Sequence, residues 1–146
     1  MTTVRAIRLA DADAEIAACA PVMAQLRPGV AEGDFVARVR RLAAAGYRLA
    51  FVEEEARVVA VAGFRIAENL AWGRHLFVED LVTDAAVRSA GAGSALIHWL
   101  SARARAEQCA SVHLDSGVQR FAAHRFYLRE RFEIRSHHFT LDLPRR

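Results

Sequence analysis

The sequence predicts a mixed α/β domain: a central, partly antiparallel sheet flanked by helices, in the order β-α-α-β-β-β-α-β-α-β. Three observations predict it. Short runs such as Tyr47 to Val52 and Arg57 to Ile66 are dense in strand-forming apolar residues and are separated by polar, turn-sized breaks, which is how strands and hairpins read. Other stretches carry their apolar residues at helical spacing, as Phe35, Val36, Val39 and Leu42 do. Finally, 146 residues with 53% apolar and 25% charged side chains describe one globular domain, 1–146. A domain of that size buries a sufficient core without a disulfide or metal staple.

Thr3 to Leu9 alternates and reads as a first strand. Asp11 or Asp13 then caps a helix to about Leu26, with Ile16, Ala20 and Met23 on one face and Pro21 positioned to kink or divide it. Pro28-Gly29 is a turn. Asp34 caps a second helix, which Gly46 ends. Tyr47 to Val52, a turn at Glu53-Glu54-Glu55 and Arg57 to Ile66 form a hairpin. His75 to Thr83 is the next strand, and Gly91-Ala92-Gly93 opens a long helix to about Gln108. Ser111 to Asp115 is a short strand, Arg120 to Arg129 a short helix, and Glu133 to Leu143 a final strand.

Composition excludes several classes of function. All 20 basic residues are arginine, spread along the chain without a basic block, for a net charge of +3. Nucleic-acid binding needs clustered cations, so no nucleic-acid partner is expected. The mild positive charge still favours an anionic, phosphate-bearing ligand. No apolar run reaches the ~18–20 residues of a membrane span, and the N-terminus lacks a signal-peptide core. A cytoplasmic protein without a membrane partner is the expectation. Cys19 and Cys109 form no CxxC unit and no zinc spacing, so they read as reduced thiols, and no metal is expected.

Leu81-Val82-Thr83-Asp84-Ala85-Ala86-Val87-Arg88-Ser89-Ala90-Gly91-Ala92-Gly93-Ser94 carries the chemistry. It joins a strand end to a helix start. Two glycines two apart let backbone N–H groups approach a ligand closely, and the following helix offers free N–H groups at the positive end of its dipole. Together they suit a pyrophosphate. A dinucleotide fingerprint fails because Leu96 stands where its third glycine belongs, and a Walker loop fails for want of lysine.

What remains is R-x-x-G-x-G, filled by Arg88, Gly91 and Gly93. In this setting the sequence resembles the GCN5-related N-acetyltransferase (GNAT) family. A second element, Ala123-His124-Arg125-Phe126-Tyr127-Leu128 with Arg131-Phe132, resembles that family's A-x-x-F-Y-x-x-x-G-F segment. The close resemblance covers about His75 to Leu143. The chain departs from the pattern at Ser89 and Arg131, where the family often has glycine, and at Arg120, where it commonly has asparagine. Arg131 argues against the family's local turn there, since arginine disfavours positive φ.

The resemblance implies an acetyl-CoA-dependent N-acetyltransferase in which a primary amine attacks the thioester directly. The amine loses a proton and the departing thiolate gains one. It implies Tyr127 as general acid; a phenol with a pKa near ~10 is protonated at neutral pH and can donate. Glu79, in an otherwise apolar strand, is the candidate general base, while Asp80 is expected on the opposite side of the strand by alternation. Val82, with Leu81 and Thr83 beside it, is expected to offer main-chain groups to the pantetheine arm, and Arg88, Ser89, Ala90, Gly91, Ala92, Gly93 and Ser94 to ring the pyrophosphate. Trp72, Phe35, Tyr47, Asp115, Ser116 and one of His137 and His138 are candidates for an acceptor pocket, against core or surface roles. The acceptor is a small-molecule amine or a peptide N-terminus, built by segments near Gln25 to Asp34 and Asn69 to Arg74. The resemblance also implies a homodimer, through the last strand or its neighbouring helix. The rival reading is a non-catalytic acyl-CoA-binding or regulatory module on the same fold.

Overall fold

A computed structural model of the chain describes residues 5–145; Thr3 and Val4, expected in the first strand, lie outside the described residues. The chain divides into two compact units, Met1–Leu114 and Asp115–Arg146. The first contains β1 (Arg5–Leu9), α1 (Asp13–Leu26), α2 (Glu32–Ala44), β2 (Arg48–Glu54), β3 (Arg57–Asn69), β4 (Gly73–Thr83), a 3-10 segment (Ala85–Ala90), α3 (Ala92–Ala106) and β5 (Ser111–Leu114). The sheet runs β1-β2-β3-β4-β5. Its first four strands are antiparallel neighbours, and β5 joins β4 in parallel. This is the mixed, partly antiparallel sheet expected from the sequence.

Alternation along the strands gives the sheet two apolar faces. Leu49, Phe51 and Val61 share a buried core with Ile16, Cys19 and Met23 of α1 and Phe35 and Val39 of α2. Ala50, Val52, Ala60, Ala62 and Phe64 are fully buried on the other face. There α3 contributes Leu96, Ile97, Leu100 and Ala104, and Trp99 meets the edge of Phe64 at 6.2 Å between centroids. Truncating a ring such as Phe51 or Phe64 to alanine is a ~3–5 kcal/mol event.

The helix starts differ from expectation. The residue capping α1 is Ala12, not Asp11 or Asp13, and Glu15 accepts from the amides of Ala12 and Asp11 at 3.0 and 3.2 Å. A carboxylate inside the first turn thus does the work of a capping side chain. Ala31 caps α2, and Asp34 sits within its first turn beside Glu32, where the helix dipole favours negative charge. Pro21 does not divide α1: the helix continues through it, with Cys19, Ala20, Val22 and Met23 buried around it. Gly46 ends α2 as expected, at φ +102 with Tyr47 N donating to Leu42 O at 3.1 Å. The hairpin turn is Glu55-Ala56, both at positive φ, so β2 extends through Glu54.

The second unit contains α4 (Phe121–Arg129). Arg131 adopts φ +71 just beyond it, and Phe132 N donates back to Tyr127 O at 3.0 Å. The helix therefore closes through a left-handed residue that the family pattern fills with glycine. The expected final strand, Glu133 to Leu143, is absent: residues 132–145 are assigned no helix or strand. Its side chains alternate as a strand's do, but a strand also needs a partner ladder, and none of the described pairings includes this segment. Among the described residues no helix is long and apolar enough to cross a membrane, and no group of three or more His, Cys, Asp or Glu could hold a metal ion.

Candidate active site

The site in the first unit begins with a defect in β4. Gly63 of β3 pairs with Asp80, but the next residue, Phe64, pairs with Val78. Glu79 is the extra residue of a β-bulge. On its other side β4 holds β5 only through His75 to Val78. From Glu79 to Thr83, β4 has β3 on one side and no described strand on the other. The backbone groups pointing that way form an open edge, half-lined by Leu81, Val82 and Thr83, suited to hydrogen bonds with an extended amide-bearing ligand.

That edge leads into the loop that carries Gly91 and Gly93. Asp84, buried, caps the 3-10 segment by accepting from Ala86 N at 3.1 Å. Its carboxylate also accepts from Gln25 Nε2 at 3.2 Å and Arg57 Nη2 at 2.6 Å, while Gln25 Oε1 accepts from Ala85 N at 3.0 Å. The Ala86 amide, then Gln25 and Arg57, hold the Asp84 carboxyl below the usual carboxylate range. Gly91, at φ +80, turns the chain into α3, and its carbonyl accepts from Arg5 Nη1 at 3.3 Å. Both ends of the loop are thus pinned to the sheet. Gly91, Ala92, Gly93 and Ser94 form the helix start, whose first amides have no intrahelical acceptor and face the positive end of the dipole. Arg88, Ser89 and Ala90 enter by backbone alone; their side chains lie outside the described part.

The bulge also settles where the two carboxylates point. Glu79 lies opposite Val78 in the pleat, and Asp80 pairs with Gly63; because of the extra residue, both side chains reach the α1 face. The expectation that alternation separates them is therefore corrected: a bulge removes one step of alternation. Asp80 accepts from Tyr47 Oη at 2.7 Å and Arg27 Nε at 2.8 Å. Arg27 Nη2 also donates to the Glu79 carbonyl at 3.0 Å. Glu79 accepts from Arg65 Nε, whose guanidinium lies 5.7 Å from the centroid of the Tyr47 ring. Burial, and then the charge of Asp80, raise the Tyr47 phenol far above its ordinary value, so Tyr47 is a fixed donor here.

In the second unit Tyr127 is buried on α4. Its ring meets Phe132 edge-on at 5.8 Å between centroids. Burial raises its phenol above the ordinary value and the nearby Arg120 opposes this, so the hydroxyl holds its proton across the neutral range.

A profile of the acetyltransferase (GNAT) family matches residues 15–132. The chain belongs to the GNAT acetyltransferase family. It is 37% identical over 111 residues to the uncharacterized N-acetyltransferase YhdJ of Bacillus subtilis (strain 168), over 73% of this chain and 76% of that protein. The fold matches the aminoglycoside N-acetyltransferase AAC(6')-Iy in complex with CoA at a TM-score of 0.87 and 14% identity, covering 98% of this chain and 97% of that one. An acetyltransferase of Trypanosoma brucei matches at 0.78 and 24% identity, covering 96% and 100%.

Among this GNAT chain's other candidates, Phe35 and Tyr47 are buried in the core. Trp72 is 40% exposed and stacks on His113 at 3.8 Å between centroids. His138 lies 3.1 Å from Asp115. The Ser116 hydroxyl is buried and has no hydrogen-bond partner, a state that costs ~1–3 kcal/mol unless a ligand or water answers it. Both cysteines are free; burial pushes the Cys19 thiol up to about 12, which makes it unreactive. Sequence reasoning singled out neither Gln25, Arg27 and Arg57 nor the anchoring role of Asp84. Asp84 alone left a signal, as a capping residue type just after a strand.

Proposed function

We propose that this chain transfers an acetyl group from acetyl-CoA to a primary amine by direct attack within a complex that holds both. The observation that carries this reading is the continuity of the open β4 edge with the pinned loop and the start of α3: an arm of amide groups and a pyrophosphate match those two features in that order. Acetyl-CoA supplies the thioester-bound acetyl group. The main chain of Val82, flanked by Leu81 and Thr83, binds the pantetheine arm and orients the thioester carbonyl. The backbone from Arg88 through Ser94 binds the pyrophosphate. Glu79 takes a proton from the attacking amine, directly or through water, and Tyr127 delivers one to the thiolate sulfur. The raised phenol of Tyr127 and its place in the family segment support the acid role. The place of Glu79 at the bulge supports the base role; its ion pair with Arg65 is the competing, purely structural use of the same carboxylate. Ser116 offers its unanswered hydroxyl to a substrate.

The acceptor is a small-molecule amine or a peptide N-terminus. Solved relatives of this fold include a glucosamine-6-phosphate N-acetyltransferase of Arabidopsis thaliana and a ribosomal-protein-alanine N-acetyltransferase of Brucella melitensis, so the fold does not choose between the two. The reading takes the chain as one domain, since the family match runs across both units. It also takes the protein as a cytoplasmic homodimer, in keeping with its two free thiols. The test is calorimetric titration with acetyl-CoA, followed by a panel of amines assayed for CoA release. Saturable binding and amine-dependent release support the proposal. Binding without release for any amine favours a non-catalytic acyl-CoA module, and no binding overturns both.

A further inference from the structure

We propose that Arg27 is a positioning residue for acyl transfer: from the end of α1 it fixes the bulged backbone of Glu79, and with it the aim of the Glu79 carboxylate. This rests on the reading of Glu79 as the base. A β-bulge leaves its extra residue outside the strand ladder, so the backbone groups of that residue need partners elsewhere. Arg27 Nη2 donates to the Glu79 carbonyl at 3.0 Å. Nε of the same guanidinium donates to Asp80 Oδ1 at 2.8 Å. One planar group thus holds the extra residue by its main chain and the next residue by its side chain.

Both ends of this clamp are themselves fixed. Pro28 stops α1 at Arg27, which is the C-cap of the helix. The Arg27 amide donates to Met23 O at 2.8 Å, and its carbonyl accepts from Val30 N at 3.1 Å. Val22 and Met23, one turn back, are buried. A cation at a helix end commonly answers that helix's own last carbonyls, but the described bonds of this guanidinium go to β4. At the other end the Asp80 carboxylate is divided: Oδ1 is on Arg27 and Oδ2 accepts from Tyr47 Oη at 2.7 Å.

The clamp matters because the extra residue sets the phase of alternation in β4. Moving it by one position would turn the Glu79 side chain to the other face of the sheet. Among the described contacts Arg65 takes only Oε2 of Glu79, so a correctly aimed carboxylate keeps Oε1 for an amine or a water.

Steady-state kinetics tests it, with an amine that the wild-type protein acetylates. Arg27→Ala should lower kcat by about tenfold to ~10²-fold, the loss that misplacing a reacting group brings. KM for acetyl-CoA and for the amine should stay within about twofold of wild type, since no binding contact is removed. The same change is then made in a Glu79→Gln protein. Because Arg27 acts through Glu79, Arg27→Ala should cost less than about twofold there. Arg27→Lys keeps the charge at the end of α1, so it should fold, and it should still be slow, since one ammonium lacks the planar fork that reaches both acceptors. Wild-type kcat in Arg27→Ala or in Arg27→Lys overturns the inference. So does an equal fall in both backgrounds, or a raised amine KM with kcat unchanged, which would make Arg27 a substrate-binding residue. A protein that acetylates no amine, or a Glu79→Gln enzyme with wild-type kcat, overturns the reading of Glu79 as base and this inference with it. A slowed Glu79→Gln enzyme beside a normal Arg27→Ala enzyme overturns this inference alone.

Discussion

Tyr47 donates its hydroxyl to Asp80 at 2.7 Å, and it reaches Asp80 by lying across Gly63. A Cβ at position 63 would sit 1.7 Å from Tyr47 Oη and 2.2 Å from Cζ. The glycine leaves that space, and its pairing partner is Asp80, the residue that follows the bulged Glu79. Gly63→Ala must push the ring aside and leave Asp80 with Arg27 alone. The expected loss is the ~1–3 kcal/mol of an overpacked site. Tyr47→Phe keeps the ring and removes one hydrogen bond, a loss of ~0.5–1.5 kcal/mol. Chemical denaturation of both variants checks the order; a Gly63→Ala protein as stable as wild type would show that the ring does not lie there.

Asp84 ties α1, the β3 start and the phosphate loop into one knot. Asp84→Ala should cost about 1 kcal/mol, as loss of a capping carboxylate does, and should weaken acetyl-CoA binding by loosening the loop. The pH dependence has a definite sign. The folded-state value lies below the unfolded one, so the stabilisation is fully present above the ordinary aspartate value of ~4 and fades as pH falls through the lower folded value. The stability gap between wild type and variant should stay constant from neutral pH to about pH 5 and close below about pH 4. A gap that closes between pH 7 and 5 would rule out Asp84 as its source.

Among the described residues, a Cβ added at Gly91 would meet only Arg5 Nη1, at 3.9 Å. The constraint is its backbone, at φ +80. Gly91→Val forces a β-branched residue into the left-handed region at a cost of ~1–2 kcal/mol and places methyl groups where a phosphate would approach. Calorimetry on the folded variant should show at least about a tenfold weaker acetyl-CoA affinity, equivalent to ~1.4 kcal/mol. Unchanged affinity would move the phosphate site elsewhere.

Arg131 is the reverse case, an arginine at φ +71. Arg131→Gly should relieve about 1 kcal/mol of backbone strain, set against the extra entropy glycine has when unfolded. The melting temperature should hold or rise. A clear fall would mean that the arginine side chain makes an interaction worth more than the strain.

Most of the fold was legible because its signals are local. Alternation marked β1, dense apolar runs between polar turns marked β2 and β3, helical spacing marked α2, and Gly46 marked the end of α2. The turn from Gly91 into α3 was legible because glycine and a helix start leave a trace in spacing. The bulge at Glu79 was not, because it is a mismatch in register between two strands and no residue type announces it; alternation therefore sent Asp80 to the wrong face. The anchors Gln25, Arg27 and Arg57 were equally hidden, since each is far in sequence from its partner and arginine is everywhere in this chain. The strand expected at Glu133 to Leu143 failed for a third reason: alternation reports which side chains could be buried together, while pairing depends on a neighbour.

The account stands most directly on the chemistry assigned to Tyr127. Tyr127→Phe removes one hydroxyl and keeps the ring against Phe132, so acetyl-CoA should bind as before. Steady-state kinetics with an amine accepted by the wild-type enzyme should then show kcat lowered by the ~10²–10⁴-fold expected on losing a general acid, or ~3–5 kcal/mol of transition-state stabilisation. A Tyr127→Phe enzyme whose kcat stays within about threefold of wild type, under half a decade and so under ~0.7 kcal/mol, would contradict the account and remove Tyr127 from the mechanism.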